Sequence, residues 1–395
     1  MQNLKEVYII DAVRTPIGSF MGVLSSVSAT KLGSIAIKGL LDRTKISPDI
    51  VDEVIMGNVI QAGEGQAPAR QAALGAGLNQ STQCMTINKV CGSGLKSVML
   101  GAQAIKVGDA EVIIAGGMEN MSQIPFYVKN VRGGFKMGNQ NLVDGMLDDG
   151  LIDAYDKEHM GIIAELCATE NNITREEQDN FAIESYNRSL KSIKEKRFAE
   201  EIISVEVSGR KGAVNLVDTD EEPGNVNFDK LKSLRPVFKK DGTVTAANAS
   251  SINDGASAVL LMSKEKAESL GLKPLAKIIA QASFAKDPKW FTTAPIDSIK
   301  KVLDKANMNI EDIDLFEVNE AFSVVSLVTN KELGLDPAKV NVNGGAVSLG
   351  HPIGASGARI LTTLLHAMKQ SDAKYGLASL CIGGGEASSV IVEKI

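Results

Sequence analysis

The sequence predicts an α/β fold built from two similar halves, with a more polar region inserted in the first. Three observations carry that expectation: an internal repeat, an alternation of short apolar runs with stretches of helical spacing, and a change of character between residues 121 and 244. The segment SPDIVDEVIMGNV ends in Asn58, and NIEDIDLFEVNEA reaches Asn319 through a similar acidic turn and apolar run. Cys91 then follows Asn58 at nearly the same distance as His351 follows Asn319. Further on, AEVIIAGGMENMS and YGLASLCIGGGEASS are each an apolar run that breaks into glycines and then a glutamate, a pattern that matches Glu119 with Glu386. Each half reads strand, turn, helix, strand, glycine turn, which is the order of βαβ units with helices packed on a largely parallel sheet.

In chain order, residues 1–120 supply the first half, which opens with a short apolar run at 7–10. Residues 121–244, with KSIKEKRFAEE and DTDEEPGNVNFDK, form an inserted loop domain with few long apolar runs. NASSINDGASAVLLMS predicts a glycine-punctuated helix and a buried strand, AVLLM, so that residues 245–270 return to complete the first half. Residues 271–395 form the second half.

Composition narrows the function. A chain of 395 residues, 44% hydrophobic and 23% charged, is ample for a large core and is neither disordered nor fibrous. A net charge of −6 and an aromatic share of 4% argue against nucleic acid as a partner. No run approaches the ~18 apolar residues of a membrane helix, and the first residues lack the long apolar core of a signal peptide, so a cytoplasmic location is expected. Cys84, Cys91, Cys167 and Cys381 form no C-x-x-C pair, and three scattered histidines make neither a zinc site nor a disulfide framework expected. The patterns G-x-x-x-x-G-K-[ST], H-E-x-x-H and G-x-S-x-G are absent. Charge runs are ordinarily solvated faces, although Lys230, Lys232, Arg235, Lys239 and Lys240 form a basic set suited to a phosphate-bearing ligand.

Three glycine-rich turns carry the chemistry. In NKVCGSGL, Cys91 stands where a strand meets a helix start, beside unpaired backbone N–H groups and the positive end of the helix dipole, which favours a thiolate. A merely structural cysteine would not need glycines at 92 and 94. In GHPIGASGAR, His351 occupies the matching turn of the second half, and folding the halves about a pseudo-twofold axis would bring the two residues together as a nucleophile and its base. His366, in LLHAM, is expected to be an ordinary core histidine. Cys381 in LCIGGGE ends a strand at the same edge, where the glycines expose N–H groups able to receive an oxyanion. Two thiols and one imidazole suit two proton-handling steps. Asn319, in VNEAF, is weaker evidence by itself.

With NKVCGSGLKSV, VNEAFS, GGAVSLGHPIGASGARI and CIGGGEAS in that order, the chain resembles the thiolases, specifically their acetyl-CoA acetyltransferase branch, from DAVRTPIG to the last strand. The resemblance implies a five-layered αβαβα fold of two halves with an inserted loop domain, in a homotetramer, and no metal or redox cofactor. It implies that Cys91 accepts the acyl group, His351 activates it, and Cys381 is the second acid/base. Asn319 would hold a water that forms one oxyanion hole with His351, and the N–H groups of Cys91 and Gly383 would form the other. Leu151, His159, Met160, Ala246, Ser250, Ala321 and Phe322 would contact coenzyme A or line its tunnel, with acetyl-CoA, acetoacetyl-CoA and CoA as the small-molecule partners. Met160 and Phe291 would close the acyl end. One departure stands out: relatives often carry an arginine for the adenine where this chain has Pro223 and Gly224. The rival readings are a long-chain degradative thiolase, a ketoacyl-synthase-type condensing enzyme, which would place histidine or asparagine where Cys381 stands, and a non-catalytic acyl-CoA-binding relative.

Overall fold

The protein is described here from a computed structural model covering residues 4–209 and 212–395. Among the described residues nine longer strands build the scaffold, β1 (Val7–Arg14), β2 (Glu53–Gly57), β3 (Gln83–Ile87), β4 (Val112–Asn120), β5 (Asn253–Ser263), β6 (Ala276–Ala285), β7 (Leu315–Val318), β8 (Tyr375–Ile382) and β9 (Glu386–Lys394), and the two-residue strand Gly18–Ser19 adds to β5 as a tenth. In the first half they run β3-β2-β4-β5-β1, and in the second β7-β8-β9-β6. A single bridge from Phe316 to Val340 takes the place that β3 holds in the first half. The pairings β2–β3, β2–β4 and β7–β8 are parallel, and the others within each half are antiparallel. A short contact of Tyr8 and Ile9 with Lys277 and Ala276 joins β1 to β6 and makes one sheet of the two.

Burial follows from the apolar content of these strands. Val112–Asn120 and Asn253–Ser263 are buried along their whole length, as strands covered on both faces must be. One face of the first half packs on helix α1 (Ala29–Thr44), where Leu32, Ile37 and Leu40 meet Val54, Ile114 and Leu260. The other face meets the helices α2 (Ser93–Val107) and α4 (Ile353–Lys369), whose Leu95, Val98, Ile360 and Leu364 also contact Ala378, Leu380 and Val390 of the second half. Beyond that lies α3 (Ala294–Ala306), with Ile299 and Val302 against Leu377 and Ile391. The order is helix, sheet, helix, sheet, helix, which is the expected five-layered arrangement.

Three sequence expectations are corrected. The sheet is mixed and not largely parallel, because β5 and β9 run back between their neighbours and make antiparallel ladders on both sides. NASSIN is a turn and not a helix, because Asn248 accepts from the Thr245 N–H with its side-chain oxygen and donates to Asp179 and the Thr243 carbonyl, so local side-chain bonds replace helical ones. The match of Glu119 with Glu386 is also displaced. Gly57 pairs with Gly117 and Val318 with Ser379, so two residues further along each strand Glu119 stands level with Cys381, while Glu386 begins the next strand.

Candidate active site

Cys91 sits in a tight turn between β3 and α2. Asn88 Oδ1 accepts from the Val90 N–H at 2.9 Å, Ser93 Oγ from the Lys89 N–H at 2.8 Å, and the Gly92 and Ser93 N–H groups reach back to the carbonyls of Lys89 and Val90. The turn costs strain: Val90, a β-branched residue, is held at φ +46°. Nothing in the sequence marks Val90, since valine is the residue least expected there. The result is a thiol presented at the cavity wall ahead of the helix.

His351 stands in the corresponding turn before α4. Its N–H donates to Asn253 Oδ1 at 2.8 Å, which ties the turn to β5. Its Nδ1 lies 2.6 Å from Ser356 Oγ, and that hydroxyl has its one proton committed to the Pro352 carbonyl. Ser356 therefore accepts, Nδ1 carries the ring proton, and Nε2 keeps a free lone pair. Nε2 has no partner among the described residues. Burial, reinforced by the Arg359 cation, pushes the imidazole down to about 3.

Burial pushes the Cys91 thiol up to about 11, against the backbone N–H groups of Gly383 and of Cys91 itself, which favour the thiolate. Cys381, 1% exposed at the end of β8, is raised well above the ordinary thiol range by burial and by the neighbouring Cys91. The three groups are neutral at rest. The dipole argument for a resting Cys91 thiolate is thus outweighed by desolvation, a tertiary effect.

Cys91, His351, Cys381 and Gly383 meet in a cavity of about 290 Å³. Leu151, His159, Met160, Ser250, Ala321, Phe322 and Phe291 line it as well. The sequence does not single out Met121, Val237, Phe238, Ile252 or Ile353, which also line the wall and come from segments distant in the chain. Phe238 stacks on His159 with ring centroids 4.6 Å apart, and Phe291 and Phe238 each meet Phe322 edge-on. Ala246 is exposed and lies outside the lining, where Ala249 stands in its stead. His366 is buried in α4, its Nε2 2.9 Å from the Ala12 carbonyl, away from the cavity.

Asn319 is buried and is not itself part of the lining. Arg359 Nη2 donates to its Oδ1 at 3.5 Å, and Arg359 Nη1 lies 3.7 Å from Glu317. A guanidinium only donates, so the amide oxygen must face it and the amide NH₂ is turned to the other side. That NH₂ has no partner among the described residues.

The chain's likeness to known proteins agrees with this geometry. Residues 7–265 match the thiolase N-terminal domain and residues 272–394 the thiolase C-terminal domain. An acetyl-CoA acetyltransferase of Schizosaccharomyces pombe is 57% identical over 391 residues, covering 99% of each chain. One from Pseudomonas aeruginosa is 53% identical, covering 97% of this chain and 98% of that one. Among solved structures, the Acat5 thiolase of Ascaris suum in complex with coenzyme A superposes with a TM-score of 0.94 at 46% identity, covering 99% of this chain and 100% of the other. With both domains matched in order along nearly the whole chain, the protein belongs to the thiolase family.

Proposed function

We propose that the protein is an acetyl-CoA C-acetyltransferase that reversibly condenses two acetyl-CoA to acetoacetyl-CoA and CoA through an acyl-cysteine. The observation that carries the reading is the convergence of Cys91, His351, Cys381 and Gly383 on one mainly apolar cavity. In the first step Cys91 Sγ attacks the thioester carbonyl while His351 Nε2 takes its proton. The oxyanion is received by N–H groups, CoA sulfur leaves with the proton of Cys381, and the acetyl group stays on Cys91. A Cys381 thiolate and a His351 imidazolium then stand ready. Cys381 removes a methyl proton from the second acetyl-CoA, the enolate carbon attacks acetyl-Cys91, and the Cys91 sulfur recovers its proton from His351. Every proton is returned, so the cycle closes without net acid or base.

Asn319, its NH₂ turned from Arg359, is suited to hold a water that shares the enolate oxygen with His351, and the N–H groups of Cys91 and Gly383 are suited to the tetrahedral intermediate. No metal or redox cofactor enters, because sulfur conjugates poorly with the thioester carbonyl and leaves the adjacent carbon acidic enough for a thiolate base. Leu151, His159, Ser250, Ala321 and Phe322 would flank the pantetheine, with Ala246 toward the mouth. Lys230, Lys232, Arg235, Lys239 and Lys240 are exposed and flank the cavity residues Val237 and Phe238 in sequence, which suits them to the phosphates, whereas Pro223 and Gly224 offer no cation to the adenine. A homotetramer and a cytoplasmic location belong to the same reading. Among the described residues no helix is long and apolar enough to cross a membrane. A relative from Gibberella zeae is named cytosolic and one from Bos taurus mitochondrial, so fractionation of cells expressing a tagged chain is the test of place.

Met160 and Phe291 at the wall favour short acyl groups. A roomy pocket would gain about 0.8 kcal/mol per methylene, whereas a closed one must expel the added carbons. We expect kcat/KM for thiolysis to fall steeply from the four-carbon 3-ketoacyl-CoA to the six-, eight- and sixteen-carbon homologues. A flat or rising series would favour the long-chain degradative reading.

A further inference from the structure

Glu119 is a fully buried carboxylate with no place in the steps above. It ends β4, level with Cys381 in the strand register, so the first half carries a carboxylate where the second carries its acid/base thiol. Its Oε2 accepts from the Val59 N–H and the Gly354 N–H, both at 2.9 Å. Its Oε1 accepts from the Ile60 N–H at 3.1 Å and from Asn58 Nδ2 at 3.3 Å. Val59 and Ile60 belong to the loop after β2, in the first half. Gly354 opens α4 in the second half, three residues after His351, and α4 has no side-chain cap of its own from Pro352. Burial pushes this carboxyl up to about 7, against the N–H donors of Val59, Ile60 and Gly354, and through Gly354 it caps that helix start from across the molecule.

The neighbouring backbone is shaped to admit this contact. A Cβ at Gly354 would stand 2.4 Å from Glu119 Oε2, and one at Gly117 would stand 2.0 Å from the Gly354 carbonyl. Gly117 and Gly354 bring the two halves into backbone contact beside the Glu119 side chain. Asn88, in the turn that presents Cys91, donates to the Val59 carbonyl at 3.1 Å, so the segment held by Glu119 also supports the nucleophile's turn.

We infer that Glu119 is a positioning residue of the acyl transfer, whose carboxylate locks the turn carrying His351 to the loop behind Cys91 and so sets the imidazole against the thiol. This inference rests on the reaction proposed above and adds to it a residue that touches neither substrate nor reacting atom. A carboxylate is suited to the task because it accepts every one of these donors at once. A carboxamide in its place, as in Glu119→Gln, would turn an NH₂ toward one pair of them.

The test is a double-mutant cycle on Cys91 acylation, measured in single turnover with radiolabelled acetyl-CoA on the full chain. Glu119→Gln should lower the acylation rate about 100-fold, the cost of a small misplacement of a catalytic group, with KM for acetoacetyl-CoA within about threefold of wild type. In a His351→Ala background the same change should cost less than about threefold, since a residue acting through His351 has nothing left to position. Glu119→Asp, which keeps the charge but withdraws it by one methylene, should fall between wild type and Glu119→Gln, and it takes over the cycle should Glu119→Gln not fold. Losses that multiply in the His351→Ala background, or a raised KM at unchanged acylation rate, would overturn the inference. Wild-type protein that fails to turn over acetoacetyl-CoA would instead overturn the reaction itself.

Discussion

At the scale of single residues, the site works from neutral partners. A thiol near 11 and an imidazole near 3 do not exchange a proton at rest, so transfer must be driven by attack on the substrate carbonyl and the stabilisation of its oxyanion. This carries a pH signature. The raised thiol value means that the thiolate fraction grows with pH toward about 11, so alkylation of Cys91 by iodoacetamide should keep accelerating above pH 9. A plateau near the ordinary thiol value would show that Cys91 is paired with an imidazolium before substrate arrives. Separate roles for the two thiols predict a second outcome. Cys381→Ala should abolish condensation while labelled acetyl-CoA still marks Cys91 at a reduced rate, whereas His351→Ala should suppress the labelling. Equal loss of label in both variants would refute the division.

At the scale of elements, α2 and α4 deliver the nucleophile and the base from their N-terminal ends, and how closely they cross decides whether the two meet. Glycine sets that approach. A Cβ at Gly94 would lie 2.7 Å from the Ala358 N and 3.0 Å from the Gly354 carbonyl, and one at Gly357 would lie 2.3 Å from the Leu95 N. The obstructing atoms are backbone and cannot turn aside. Gly94→Ala should therefore cost about 1–3 kcal/mol of stability, as overpacking does, and lower acylation of Cys91 as the helix starts are wedged apart. Urea unfolding and the labelling assay would measure both, and a variant with wild-type stability and labelling would show that the crossing has slack. The glycines of CGSGL and GASGAR were visible in the sequence and their closeness to chemistry was inferred. Their packing against one another was not, because a glycine announces that something comes near without saying what.

At the scale of the molecule, buried charge ties the inserted region to the core. Arg14 at the end of β1 is fully buried, with Glu201 at 2.6 Å and Asp220 at 2.6 Å through a second nitrogen, and its guanidinium lies over the Phe198 ring. Replacing the cation would strand two carboxylates in a dry interior. Arg14→Met should cost about 3–5 kcal/mol in urea unfolding, and a loss below about 1 kcal/mol would mean that water reaches the cluster. These pairings span 187 and 206 residues of sequence, so Arg14 in DAVRTPIG looks no different from a surface arginine.

By itself the sequence determined the two-half α/β architecture, since the repeat of apolar runs, turns and glycines is local and survives in one dimension. It also marked Cys91, His351 and Cys381, because each carries a glycine-rich turn beside it. What only the tertiary structure decided are the quantities that depend on which surfaces exclude water together. Those are the neutral resting state of the thiol and imidazole, the free lone pair on His351 Nε2 forced by Ser356 and Pro352, and the orientation of the Asn319 amide imposed by Arg359. The matching of Glu119 with Cys381 belongs there too, since strand register is a pairing between distant segments, and a similar run of letters placed the glutamate of the wrong strand opposite it. Desolvation and hydrogen-bond direction are properties of neighbours, and neighbours across a pseudo-twofold axis are chosen only when the chain has folded.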